Sequence, residues 1–186
     1  MAWAEGLRGK TALVTGAGRM QSIGRAVAVE LAHQGANVVI TGTGRNPDRY
    51  PEEEKLAGWR DIESVAEEIR ALGVQALPLV SDVRDPAAVR AAVDAAVERF
   101  GGVDVLVNNA GAARGEDRMP IADMAYDDWA RVLRVNLDGV FLMSQAVARR
   151  MVEQGRGGSI VNISSIASRN ATPGNGAYSA SKAAVN

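Results

Sequence analysis

The chain has 186 residues, of which 47% are hydrophobic and 23% charged, a composition that can bury one substantial core. Its net charge is −1, and no basic run could follow a nucleic-acid backbone or an anionic membrane surface. The lack of cysteine excludes disulfides, thiolate metal sites and cysteine nucleophiles. The first five residues do not resemble a signal peptide, and no apolar run approaches the roughly 20 residues that span a bilayer. We therefore expect a single cytoplasmic domain without nucleic-acid or membrane partners.

Short β-branched runs alternate with helical periodicity from Lys10 onward, which is typical of βα units that feed a parallel sheet. The sequence predicts strands at 11–15, 37–41, 75–80, 103–107 and 159–163. Helices are predicted at 23–34, 62–72, 86–100, around 129–151, and from about residue 178. This order predicts an α/β fold with a doubly wound parallel sheet of the Rossmann type.

Two stretches stand out from this regular pattern. The segment from Gly44 to Arg60 is a longer, polar and proline-containing connection than such folds usually need. The chain stops at Asn186, about two turns into its last predicted helix. We therefore expect a domain that is incomplete at its C-terminus and belongs to a longer protein.

The turn after the first predicted strand is rich in glycine, since residues 15–24 read TGAGRMQSIG. Glycine lets the backbone approach a pyrophosphate closely, and the following helix N-terminus offers free N–H groups and a positive dipole end. This strand–turn–helix context favours a dinucleotide site over a plain tight turn. The cofactor-binding residues that we expect in this turn are Gly16, Arg19, Ser22, Ile23 and Gly24.

The end of the second predicted strand indicates the choice of cofactor. In NAD-binding Rossmann folds a carboxylate here accepts hydrogen bonds from the ribose 2′-hydroxyl and would repel a 2′-phosphate. This sequence has Gly42 and Thr43 instead, with Arg45 close behind. We therefore expect NADP(H) to be favoured, with Thr43 and Arg45 as contacts, and NAD(H) as the alternative. Arg45 could instead be a solvated loop cation.

Tyr178 and Lys182 lie four residues apart in the pentapeptide YSASK. Residues at this spacing share one face of a helix, so an ammonium would lie beside a phenol. A nearby lysine and an oxidised nicotinamide both favour the phenolate. Tyr178 could then act as general base in alcohol oxidation and as general acid in ketone reduction. By itself, the pair could equally be a snorkelling lysine beside an interfacial tyrosine.

These motifs, in this order and over nearly the whole chain, resemble the short-chain dehydrogenase/reductase family. The resemblance covers the glycine turn, Asp82-Val83, the Asn108-Asn-Ala-Gly111 signature and the tyrosine–lysine pair. It implies that Asp82 and Val83 meet the adenine and that Tyr178 and Lys182 contact the nicotinamide ribose. It also implies that four residues steady the sheet and line the cofactor, namely Asn108, Asn109, Ala110 and Gly111.

The resemblance adds two catalytic candidates. Ser165 follows a predicted strand, thirteen residues before Tyr178, as the catalytic serine of the family does, and would stabilise charge on the substrate oxygen. Asn136 resembles the asparagine through which family members link the lysine to solvent by water. Outside this context, the serine would be an ordinary turn residue and the asparagine a polar helix residue with a local hydrogen bond.

The glycine turn departs from the family pattern. It is two residues longer, and Met20-Gln21-Ser22 stands where the family has one glycine. The pair Ser22-Ile23 is closer to the enoyl-reductase branch. That branch has its lysine seven residues after the active tyrosine, where this sequence has Val185. We therefore expect chemistry on a carbonyl or alcohol rather than on a carbon–carbon double bond.

The sequence thus predicts an NAD(P)(H)-dependent oxidoreductase that acts on a ketone or secondary alcohol, similar to 3-oxoacyl reductases and to sugar or steroid dehydrogenases of the family. Its partner would be a small carbonyl or alcohol substrate, with residues 112–120 and 169–177 forming part of the rim. The resemblance implies a homodimer or homotetramer for the full-length protein, paired through the long helix and the tyrosine-bearing helix.

The alternative is a catalytically silent Rossmann module that binds a dinucleotide, or an inactive fragment. The joint presence of Ser165, Tyr178, Lys182 and Asn136 argues against this alternative, because a silent binder has no chemical need for a proton relay.

Overall fold

A computed structural model describes residues 6–113, 115 and 117–186. The strands are β1 Thr11–Thr15, β2 Asn37–Gly42, β3 Ala76–Val80, β4 Val105–Asn108 and β5 Ser159–Asn162. The helices are α1 Ile23–His33, α2 Glu52–Leu56, α3 Ile62–Ala71, α4 Pro86–Phe100, α5 Tyr126–Leu133, α6 Gly139–Gln154 and α7 Gly176–Val185. The described residues do not include residues 1–5, which carry no signal-peptide pattern, or residues 114 and 116 of the expected rim.

All five strands run parallel, in the spatial order β3-β2-β1-β4-β5. The strand order reverses between β1 and β4, so the helices that follow them lie on opposite faces of the sheet. Folds of this kind open a crevice at the carboxyl ends of the two strands where the order reverses. The arrangement confirms the predicted doubly wound parallel α/β fold of the Rossmann class.

Alternate residues of β1 feed two hydrophobic clusters, because successive strand side chains point to opposite faces. Ala12 and Val14 are buried with residues of α1 and α3 on one face. Leu13 is buried with residues of α4 and α6 on the other face. β1 therefore anchors both layers of helices, and the crevice opens at its carboxyl end.

The long helix expected around 129–151 is interrupted. It consists of α5, a π-helical turn at Arg134–Asp138, and α6. The polar connection of residues 44–60 contains a 3-10 turn at Pro47–Arg49 and the short helix α2. Within the described part of the chain, no helix is long and apolar enough to cross a membrane.

Replacement of Leu13 by alanine tests the role of β1. Leu13 is fully buried, so Leu13→Ala should lower the free energy of unfolding by about 2–5 kcal/mol, measured by urea denaturation. Leu56→Ala is the matched control, because Leu56 is 82% exposed, and it should change stability by less than about 0.5 kcal/mol. Since both hydrophobic clusters share the sheet, we propose that the chain forms one domain and expect a single unfolding transition in urea. Equal effects of the two variants would contradict this account of the core.

Candidate active site

A cavity of about 350 Å³ opens at the carboxyl ends of β1, β2, β3 and β4. It lies at the place where the reversal of strand order predicts a ligand crevice. Eight of the cofactor candidates line it, namely Gly16, Arg19, Thr43, Arg45, Asp82, Val83, Ala110 and Gly111. The volume falls within the range of small-molecule sites, about 300–1,000 Å³.

The glycine turn is fastened to the end of β4. Asn109 Nδ2 donates hydrogen bonds to the carbonyl oxygens of Thr15 at 2.9 Å and Gly16 at 3.0 Å. The Thr15 hydroxyl accepts from the N–H groups of Asn109 and Ala110, both at 3.0 Å. Gly16 has a φ of 69°, and a Cβ there would lie 2.7 Å from Ala110 Cα. A Cβ on Gly24 would lie 2.4 Å from Asn109 Nδ2, so this junction requires glycine on both sides.

Helix α1 follows the glycine turn and begins with a side-chain cap. The Ser22 hydroxyl accepts from the N–H of Arg25 at 3.2 Å and donates to the carbonyl of Arg19 at 2.9 Å. The N–H groups of Ile23 and Gly24 lie in the first turn, where no intrahelical acceptor exists. The positive end of the helix dipole reinforces these donors, so this end of α1 is suited to a phosphate group.

The glycine turn is held by the connection that follows β2. The N–H of Met20 donates to Glu54 Oε1 at 2.9 Å, and Trp59 Nε1 donates to the carbonyl of Gly18 at 2.7 Å. Arg25 donates to the carbonyl of Met20 at 2.8 Å and lies 5.3 Å from the centre of the Trp59 ring. The longer turn is therefore packed against residues 44–60.

Arg45 is held by two carboxylates. Its guanidinium lies 2.8 Å from Glu54 and 3.2 Å from Asp61, and it stacks 4.5 Å above the Tyr50 ring. Burial lowers the pKa of Arg45, but its hydrogen bond to Glu54 and the charge of Asp61 outweigh this effect, so the pKa is raised. The sequence favoured a contact between Arg45 and a 2′-phosphate. Because Glu54 and Asp61 already bind its guanidinium, Arg45 is less available for such a contact.

Asp82 and Asn108 have structural partners of their own. The Asp82 carboxylate accepts from the backbone N–H of Arg84 at 2.9 Å, an Asx turn, and from its side chain at 2.6 Å. The Arg84 hydrogen bond lowers the pKa of Asp82. Asn108 Nδ2 donates to Ser144 at 2.8 Å and to Asn162 at 2.9 Å, so it joins β4 to α6 and β5.

The Tyr178 ring is half-buried on α7 and has two cations nearby. Lys182 Nζ is 6.0 Å from the ring centre, and the Arg118 guanidinium is 4.7 Å away. Lys182 is only 6% exposed, and its ammonium donates to the carbonyl of Ile163 at 2.6 Å. Burial lowers the pKa of Lys182. The structure therefore brings the phenol and the amine of the YSASK motif to the same place.

Ser165 lies at the end of β5, where its hydroxyl accepts from the N–H of Ala167 at 3.2 Å and caps a short 3-10 turn. A hydroxyl that accepts this bond keeps its own proton for donation to another oxygen. Among the described residues, no hydrogen bond joins Ser165 to Tyr178.

Asn136 is fully buried on the π-helical turn. Its Oδ1 accepts from the N–H of Ala112 at 2.8 Å, and its Nδ2 donates to Ser181 Oγ at 3.0 Å. The Ser181 hydroxyl in turn donates to the carbonyl of Tyr178 at 2.7 Å. Asn136 thus braces the loop after β4 against the helix of the tyrosine. Its expected part in a water link to Lys182 stays a prediction.

Sequence reasoning missed five residues of this region, namely Glu54, Trp59, Asp61, Arg118 and Ser181. Their roles arise from contacts between segments distant in sequence, which periodicity does not reveal. A tryptophan in an otherwise polar connection was the available signal, since a large apolar ring favours packing over solvent exposure.

The fold and its crevice define a doubly wound α/β protein of the Rossmann class. The family model for short chain dehydrogenases matches residues 10–186. The chain therefore belongs to the short-chain dehydrogenase family.

Individual relatives agree with this assignment. The chain is 39% identical over 176 residues to a 3-oxoacyl-[acyl-carrier-protein] reductase of Staphylococcus aureus. The matched region covers 95% of this chain and 64% of the relative. It is 45% identical over 157 residues to an L-rhamnose 1-dehydrogenase (NAD(P)(+)) of Azotobacter vinelandii, which covers 84% and 56%. The crystal structure of a carveol dehydrogenase from Mycobacterium avium in complex with NAD has a TM-score of 0.83 at 33% identity, covering 97% and 63%. The chain thus spans less than two thirds of the length of these proteins.

The brace at Asn136 can be tested by its removal. Asn136→Ala leaves Ala112 N–H and Ser181 Oγ without their partner, so the free energy of unfolding should fall by about 1–3 kcal/mol in urea denaturation. Asn170→Ala is the matched control, since Asn170 is exposed, and it should change stability by less than about 0.5 kcal/mol. A brace that contributes nothing would give the two variants the same unfolding midpoint.

Proposed function

We propose that the protein is an NAD(P)(H)-dependent oxidoreductase that transfers a hydride between the nicotinamide and a ketone or secondary alcohol. The observation that carries this proposal is the position of the Tyr178 ring, which lies 6.0 Å from Lys182 Nζ on a helix braced to the loop after β4. The loop after β4 also lines the crevice, through Ala110 and Gly111. The names of two relatives, a 3-oxoacyl-[acyl-carrier-protein] reductase and an L-rhamnose 1-dehydrogenase (NAD(P)(+)), support the same class of reaction.

The residues around the crevice fit a dinucleotide. The glycine turn and the first N–H groups of α1 would hold its pyrophosphate, because these donors have no acceptor within the helix. Asp82, Val83, Ala110 and Gly111 line the cavity, and of these Asp82 and Val83 would meet the adenosine. When bound, the cofactor supplies or accepts the hydride, which no protein side chain can do.

Tyr178 would donate or accept the proton of the reaction. In ketone reduction its hydroxyl would donate a proton to the substrate oxygen as the hydride arrives, and in alcohol oxidation its phenolate would take that proton back. Lys182 Nζ and the Arg118 guanidinium lie 6.0 Å and 4.7 Å from the centre of the Tyr178 ring, beside the group that would transfer the proton. Ser165 would donate a hydrogen bond to the same substrate oxygen and so stabilise the charge that develops there.

We also propose that the full-length protein acts in the cytoplasm as a homodimer or homotetramer. Phe141 and Val152, on the long helix α6, are 59% and 80% exposed. Apolar side chains exposed on the helix through which the family pairs support an association by that helix.

Removal of the phenolic hydroxyl tests the acid–base assignment. Tyr178→Phe in the full-length protein should lower kcat by about 10²–10⁴-fold on a panel of ketones and alcohols, because the proton loses its donor. Turnover is followed by the change in NAD(P)H absorbance, and cofactor binding by its fluorescence.

Tyr126→Phe is the matched control, since Tyr126 is 78% exposed, and it should keep the parent turnover. Equal turnover by Tyr178→Phe and the parent would exclude Tyr178 as the acid–base group. Cofactor binding without turnover of any substrate would instead indicate the silent Rossmann module.

A further inference from the structure

We propose that Asp61 sets the cofactor preference: its carboxylate accepts hydrogen bonds from the ribose 2′-hydroxyl of the adenosine and excludes a 2′-phosphate, so the protein uses NAD(H). The inference rests on the proposed function, since it requires a dinucleotide in the crevice. In NAD-binding Rossmann folds, the acceptor carboxylate stands near the end of the second strand. Here that position has Gly42 and Thr43, and the carboxylate comes from the residue before α3.

Asp61 fills the space between the glycine turn and the end of β2. A Cβ built on Gly18 would lie 1.6 Å from Asp61 Oδ1, and one on Gly42 would lie 3.8 Å from Asp61 Oδ2. Asp61 also lines the cavity, although it is only 6% exposed. A carboxylate from a distant part of the chain therefore occupies the place next to β2 where the cofactor ribose is read.

The backbone at Asp61 is held in an unfavourable conformation. Its φ of 55° is positive, which among the described residues is otherwise seen in glycine alone. Such a conformation costs about 1–3 kcal/mol in general and persists where the surroundings enforce it, often at ligand clamps. The connection from β2 through α2 returns the chain to this point, so its added length brings Asp61 to the cavity.

The charges around Asp61 favour a hydroxyl over a phosphate. The cluster of Arg45, Glu54 and Asp61 contains two carboxylates and one guanidinium, so its net charge is −1. Arg45 would have to leave both carboxylates to meet a 2′-phosphate, and the phosphate would then face them. Arg45 also fixes the orientation of the Asp61 carboxylate, since its backbone and side-chain N–H groups donate to both oxygens at 3.2–3.3 Å.

Two hydroxyl groups indicate independently that a polar ligand belongs in the cavity that Asp61 lines. Thr41 and Ser81 line the same cavity, are 1% and 4% exposed, and find no hydrogen-bond partner for their side chains among the described residues. Buried hydroxyl groups are nearly always hydrogen-bonded. They lie at the carboxyl ends of β2 and β3, on the adenosine side of the crevice.

Arg19 is the feature that argues for the opposite preference. It is exposed on the glycine turn and lines the cavity, so its side chain could reach a 2′-phosphate. The two residues therefore predict opposite results for the same measurement, and binding of the two reduced cofactors decides between them.

The test compares NADH and NADPH binding to the parent protein and to Asp61→Asn by fluorescence titration. Asparagine tolerates a positive φ and keeps the shape of aspartate, so the variant removes the charge with little change of backbone. We expect the parent to bind NADH at least about tenfold more tightly than NADPH, and Asp61→Asn to reduce that ratio by about tenfold or more. Asp48→Asn, an exposed carboxylate in the same connection, is the matched control and should leave the ratio unchanged.

An NADH analogue with a 2′-deoxy adenosine ribose gives a second readout. It should bind the parent about tenfold more weakly than NADH, and it should lose this disadvantage in Asp61→Asn. Tighter binding of NADPH by the parent, or full affinity of the parent for the analogue, would overturn the role of Asp61 while leaving the proposed function intact. Failure of the parent to bind either reduced cofactor would overturn the proposed function as well. The parent measurements decide the matter even if the variant does not fold.

Discussion

The Asn109 amide determines the geometry on which both halves of the site depend. It bonds the carbonyl oxygens of Thr15 and Gly16, so the turn after β1 is fixed to the chain that leaves β4. A few residues further on, the N–H of Ala112 is bonded to Asn136, which is braced in turn to the tyrosine-bearing helix. A displacement of the end of β4 would therefore disturb both the glycine turn and the position of Tyr178.

Two departures from the family pattern explain each other. The glycine turn is two residues longer than the family usually has, and the connection after β2 is longer as well. Glu54 and Trp59 of that connection bond the N–H of Met20 and the carbonyl of Gly18, so two backbone groups of the turn are satisfied by this segment. Without this partner, these backbone groups of the turn would carry a desolvation cost.

The fold could be predicted from local sequence because each strand and helix carries its own pattern, and the observed strands differ from the expected ones by at most two residues at either end. The Tyr178–Lys182 pair could be predicted for the same reason, since both belong to one helix. Asp61 and Arg45 could not be placed in this way, because their arrangement depends on an ion pair and on a backbone conformation set by tertiary packing. The sequence showed that no carboxylate stands at the end of β2. It did not show that the chain returns to this place nineteen residues after Gly42, where it supplies the carboxylate of Asp61.

Burial of the Lys182 ammonium lowers the stability of the fold. Its ammonium is buried, it donates to the carbonyl of Ile163, and no carboxylate of the described chain offsets its burial. Because burial lowers the pKa of Lys182, the unfolded chain binds more protons than the folded chain between the lowered pKa and the ordinary value of 10.5. Its contribution to stability is therefore unfavourable at lower pH and improves as the pH rises through that window. A buried amine that weakens the fold below this window, placed beside the Tyr178 ring, is the kind of perturbed group that clusters at functional sites.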